Sequence, residues 1–151
     1  MVLEVAALPG EFRAAMVEAM GKSVWKCDHL LAPHERPKRL PPGFGAVYIF
    51  ATHDTDDVLK VGMAGPRSEA RFTSQHYLPR SANSSLAAQI LRDAEFRRTK
   101  SLEHLDERSV GAWMQGHLDR YHIFVEEPLD FMLPALERYL IRVLQPRWEG
   151  R

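Results

Sequence analysis

Two runs rich in β-branched and aromatic residues, AVYIFAT (46–52) and VLKVGMA (58–64), flank the turn-forming stretch HDTDD. Such a pair reads as an antiparallel hairpin, and a lone hairpin is barely stable in water. The rest of the chain must supply a sheet and its cover. YHIFVEE (121–127) has the same character and reads as a third strand. Helical patterns fall between, at about 68–78, 84–98 and 107–119, with Ser84 or Ser85 suited to the N-cap of the second. A last helix over 133–144 opens near Pro134, which a first turn tolerates, and Pro146 stops it. The expected fold is α/β in the broad sense and α+β in type: a small three-stranded antiparallel sheet flanked by helices.

With 151 residues the chain can build its own core, and 45% hydrophobic and 26% charged residues suit a globular protein. Residues 9–20 read as a short helix, and 32–43, with four prolines, as an irregular connection. They divide an N-terminal extension, 1–42, from a main domain, 43–151. One cysteine, Cys27, excludes an internal disulfide framework and suits the reducing cytoplasm. Cys27, His29 and His34 lack the spacing of a zinc site. No stretch reaches membrane-spanning length, and the opening MVLEVAALPGEF carries acids where a signal peptide needs bases. A cytoplasmic protein is expected.

Twenty Lys and Arg balance twenty Asp and Glu, which argues against a general nucleic-acid coat. The distribution is polarised. Between Lys60 and Lys100 eight bases face only three acids. That excess suits either a basic face for a polyanion or an ordinary solvated surface.

Glu137 is the residue hardest to place. On a helical wheel of 133–144, Leu133, Leu140, Ile141 and Leu144 form an apolar stripe with Glu137 in its middle. A carboxylate facing the core calls for a cation, a metal or a raised pKa, or for a buried Arg or backbone donors.

The order of these residues resembles the GIY-YIG nuclease superfamily: GAVYIF (45–50), LKVG (59–62), Arg71 on the next helix and Glu137 on the last. The likeness covers residues 43–148. The family's first-motif Tyr is matched by Tyr48. Its second motif has a Tyr two residues before a Gly, and here Lys60 stands ahead of Val61 and Gly62, similar to restriction-type and phage-type branches. ARFTSQHYLPRSANSSLAAQIL (70–91) and LERYLIRVLQPRWEG (136–150) also look like a bacterial branch.

The resemblance implies a metal-dependent endonuclease that hydrolyses phosphodiester bonds in DNA, or in RNA of the same backbone chemistry. Glu137 would anchor magnesium or manganese, which takes its other oxygens from water and phosphate. Arg71 would offer a planar fork to phosphate. Tyr48 would orient or deprotonate the attacking water, its phenol pKa pulled down by nearby cations, and Lys60 would assist it or bind phosphate. His76 resembles the family's helical His, one residue further on than usual. The family's C-terminal Asn is missing, with Gln145 nearest to it. Arg67, Arg80, Arg92, Arg97, Arg98 and Lys100 are the candidate contacts to nucleic-acid phosphates. Sequence specificity would come from the basic helices 66–100 that carry them, from the N-terminal extension or from a homodimer, or be absent.

Two other classes compete: a nucleic-acid-binding module of this fold without turnover, and a protein-interaction domain using the apolar last helix. Each residue also has a bland role. Tyr48 would be a cross-strand aromatic, Lys60 solvent-facing, Arg71 paired with Glu69, and His76 a cap on helix-end carbonyls.

Overall fold

A computed structural model describes residues 25–149, so the helix expected over 9–20 lies outside the described residues. Four strands form one antiparallel sheet: β1 (Trp25–Leu30), β2 (Phe44–Thr52), β3 (Val58–Ala64) and β4 (Leu118–Glu126), in the order β1-β4-β2-β3. Three strands were expected. The added one, WKCDHL, pairs along β4 from Trp25 opposite Val125 to Leu30 opposite Arg120. Its residues 26–29 are exposed, so it lacks the buried alternation that marks a strand in sequence.

Five α-helices accompany the sheet among the described residues: α1 (Glu69–Thr73), α2 (Leu86–Arg92), α3 (Ala94–Thr99), α4 (Val110–His117) and α5 (Leu133–Leu144). Short 3-10 turns cover Gln75–Tyr77 and Leu129–Met132. Two expected helices are broken. The 68–78 pattern stops at Ser74 and resumes as a 3-10 turn. The 84–98 pattern breaks at Asp93, whose carboxylate accepts the Phe96 N–H at 2.9 Å and so caps a new helix, α3. Ser85 caps α2 by accepting from Ala88 N–H at 3.2 Å. The last helix matches its expected span, with Pro134 in the first turn and Gln145 left-handed at its end.

The sheet is covered on both faces. Ala46, Tyr48 and Phe50 face Phe72, Tyr77, Leu86, Ile90, Phe96 and Met114 from the helical layer of α1 to α4. Val47, Ile49 and Val61 face Leu133, Leu136 and Leu140 of α5. Each of those leucines is buried, worth about 1.5–3 kcal/mol. Leu136 is fully buried, whereas Ile141 and Leu144, expected in the stripe, are half-buried. Gly45 lets Leu133 and the Ala64 carbonyl approach the strand closely, since a Cβ there would collide with the Leu133 side chain. No helix among the described residues is long and apolar enough to cross a membrane.

The connection after β1 is irregular, as its prolines require, yet it is held down. Ala32 N–H donates to Asp119 Oδ1 at 2.7 Å and His34 N–H to the Gln115 carbonyl at 2.8 Å. The C-terminal tail lines the outer side of β3, where Arg147 and Trp148 N–H donate to the Val58 and Leu59 carbonyls at 3.0 Å. That covers part of an open sheet edge.

Arg97, expected to face nucleic acid, serves the fold instead. Its guanidinium donates to the carbonyls of Leu91, Leu102, Glu103 and Leu105 at 2.7 to 3.4 Å. Arg97→Ala removes all four bonds and should cost about 1.5–3 kcal/mol. Urea denaturation measures this, and unchanged stability would return Arg97 to the surface set.

Candidate active site

Tyr48 lies mid-strand in β2, opposite Gly62 on β3 and His122 on β4. Its side chain is fully buried. The ring lies against the β3 backbone, and a Cβ at Gly62 would sit 2.6–2.7 Å from its Cε2, Cζ and hydroxyl atoms. Gly62 is therefore the space the tyrosine occupies. The helical layer then brings two polar side chains to the phenol.

His76, in the 3-10 turn, places Nε2 2.5 Å from the Tyr48 hydroxyl. Its Nδ1 accepts the Leu86 N–H at 3.2 Å, where α2 begins. A ring nitrogen that accepts carries no proton, so the neutral ring bears its hydrogen on Nε2 and donates it to Tyr48. Arg71, on α1, donates from Nε to the same oxygen at 3.4 Å. Two donors thus converge on one phenolic oxygen.

The electrostatics follow from burial. His76 is held neutral, its pKa well below the usual histidine value, because it is desolvated and then because Lys60, Arg120 and Arg71 are near. Burial also raises the Tyr48 phenol above its usual value, with the Arg71 bond and the Arg71 and Arg120 charges opposing and Glu137 reinforcing. This corrects the expectation of a phenol pulled down by cations, since desolvation outweighs them.

Lys60 is buried too, not turned to solvent. Its ammonium donates to the Ser84 carbonyl and to Gln89 Oε1, each at 2.8 Å, and so anchors the start of α2. Its pKa falls to about 8, first through burial, then through Arg71 and Arg92, against the pull of Glu137. Glu137 is 4% exposed on α5, which packs across β3 and β2, and its charge is felt at both Tyr48 and Lys60.

No group of three or more His, Cys, Asp or Glu among the described residues is arranged to hold a metal. Magnesium takes one or two carboxylates, waters and substrate phosphate, and Glu137, whose charge reaches Lys60 and Tyr48, is of the type that mode uses.

Several of the other basic candidates have partners within the protein. Arg80 pairs with Glu107 at 2.7 Å, and Arg67 with Glu127 at 3.7 Å. Lys100 lies 3.5 Å from Asp57 and 4.0 Å from Asp54. Arg92 donates to the Asn83 carbonyl, while Arg98 is exposed on α3. Arg92 also borders a shallow cleft of about 420 Å³ with Gln89 and Trp148, next to Lys60. Gln145 closes α5 and lines a different cavity, of about 550 Å³, with Asp57, Lys100 and Arg147.

Sequence reasoning missed Gln89 and Arg120. Arg120 shares the parity of His122 and Phe124, but Leu118 and Asp119 looked helical, so β4 seemed to start after it.

The fold and site define an α+β protein with a buried Tyr48 and His76 and a half-buried Arg71 between sheet and helical layer. The chain matches no protein-family model, and comparison with curated proteins and with solved structures yields no significant match.

A neutral His76 has a pH signature. Its pKa in the folded chain lies well below the 6.5 of an unfolded histidine, so the unfolded state binds the proton first. The associated stability is complete above about pH 6.5 and drains away as pH falls towards the folded pKa. His34 and His122 are lowered likewise, chiefly by burial. Melting temperature should decline as pH drops from about 6.5 to about 5. A flat profile would mean that His76 takes up its proton over the same pH range folded as unfolded, so that neither burial nor the Leu86 bond holds it neutral.

Proposed function

We propose that the chain is a metal-dependent endonuclease of the GIY-YIG kind, hydrolysing phosphodiester bonds in DNA. The convergence of His76 and Arg71 on the Tyr48 oxygen, within reach of the Glu137 charge, carries this reading. A buried hydroxyl needs a partner in any case, but two donors on the one oxygen make it a place where negative charge could be held.

At neutral pH Tyr48 is a phenol, and its own proton is directed away from the two donors it accepts. To act as a base Tyr48 must first give that proton to solvent, and the two donors would stabilise the resulting phenolate until it takes a proton from the attacking water. Arg71 spends Nε on Tyr48 and offers its terminal nitrogens to phosphate oxygens. Lys60 adds a cation beside the reacting phosphate while fixing α2. Glu137 is the carboxylate that would hold magnesium or manganese, and the ion when bound supplies charge neutralisation at the phosphoryl oxygens.

The binding-module reading has less support. A pure binder has no need of an inward carboxylate such as Glu137, which would weaken its hold on phosphate.

Plasmid DNA, branched DNA and RNA incubated with magnesium or manganese test the proposal. Metal-dependent nicking of DNA is expected, stopped by chelation. Glu137→Gln keeps the shape but loses the charge, so cleavage should fall about 100-fold or more while DNA binding persists. Wild-type cleavage by this variant would remove Glu137 from the site and leave the enzyme reading without its metal ligand.

A further inference from the structure

Arg120 is fully buried on β4, on the face of the sheet that carries Tyr48. Among the described residues it forms no ion pair, and its Nε has no hydrogen-bond partner. A buried cation without a carboxylate is costly, and an apolar residue of similar size is often at least as stable. Something other than packing calls for a guanidinium there.

Its contacts say what. NH2 donates to the Phe72 carbonyl at 2.9 Å, one residue after Arg71. NH1 donates to the Tyr77 hydroxyl at 3.3 Å, one residue after His76. Its planar head lies 4.8 to 5.8 Å from the ring centres of Tyr48, Phe50, Phe72 and Tyr77, where aromatic faces replace water around the charge. Tyr77, accepting from Arg120, has its own proton to donate to His34 Nε2, 2.7 Å away. One side chain thus grips both segments that deliver the donors to Tyr48.

We propose that Arg120 is the positioning residue of this site, clamping α1 and the following 3-10 turn onto β4 so that Arg71 and His76 meet on the Tyr48 oxygen. This rests on the nuclease reading for its catalytic consequence but not for its geometry. Arg120 meets acceptors on two segments with two different nitrogens held in one rigid plane. A lysine has all its donors on a single nitrogen and lacks that fixed fork.

The test uses the full chain with Arg120→Met and Arg120→Lys. Nitrogen NMR of the His76 ring reads the Nε2–H tautomer and its bond to Tyr48, and plasmid nicking gives kcat and KM separately. In folded Arg120→Met the His76 signals should shift away from the bonded Nε2–H pattern. Its kcat should fall about 100-fold, the scale of a misplacement near 1 Å, with KM little changed. Arg120→Lys, folded, should recover neither. Folded variants with wild-type His76 signals and kcat would overturn the proposal. If Arg120→Met does not fold, Arg120→Lys decides on the same two readouts. If the wild-type chain cleaves no substrate, the nuclease reading fails and the His76 signals alone decide whether Arg120 positions the ring.

Discussion

Each polar side chain on the helix-facing side of the sheet must find a partner without water, and the helical layer is arranged around that constraint. Lys60, Tyr48, Arg120 and His122 all point into this interface and are nearly or fully buried. Leaving any of them unsatisfied costs about 1–3 kcal/mol or more. Lys60 is met by the Ser84 carbonyl and Gln89, Tyr48 by His76 and Arg71, and Arg120 by the Phe72 carbonyl and Tyr77. The places where α1, the 3-10 turn and α2 begin and end are therefore the places where these partners are needed.

This explains which parts were legible in the sequence. The hairpin and the last helix could be read because their signals are local: turn chemistry between two apolar runs, and an apolar stripe between Pro134 and Pro146. Tyr48, Arg71, His76 and Glu137 were found through the order of short motifs, with Glu137 also marked by its place in the stripe. The edge strand β1 was not legible, because Lys26 to His29 are exposed and carry no alternation. The break at Asp93 was read through, since a capping Asp and an interior polar residue look alike until Phe96 N–H is seen to donate to it. Arg120 required the register of β4 against β2, which no local pattern contains.

Charge counting is silent for a related reason. The excess of bases between Lys60 and Lys100 suits either a polyanion face or a solvated surface, and a count records neither partners nor depth. Arg97 is bound to four carbonyls, Lys60 is buried, and Arg80 and Lys100 face acids from other segments. Burial likewise reversed the expected direction at Tyr48, where desolvation prevails over two nearby guanidinium groups. A phenol that stays protonated at rest must lose its proton before it can act as a base.

The claim on which everything else depends is that the Tyr48 oxygen works, rather than merely fits. Tyr48→Phe removes that one atom, leaves the ring over Gly62, and orphans the His76 and Arg71 donors at a cost of about 1–3 kcal/mol. The decisive measurement is magnesium-dependent nicking of supercoiled plasmid by folded Tyr48→Phe, beside the wild-type chain. The account predicts that nicking disappears while the protein stays folded. Nicking at the wild-type rate would contradict it and make the Tyr48, His76 and Arg71 cluster a device of the core.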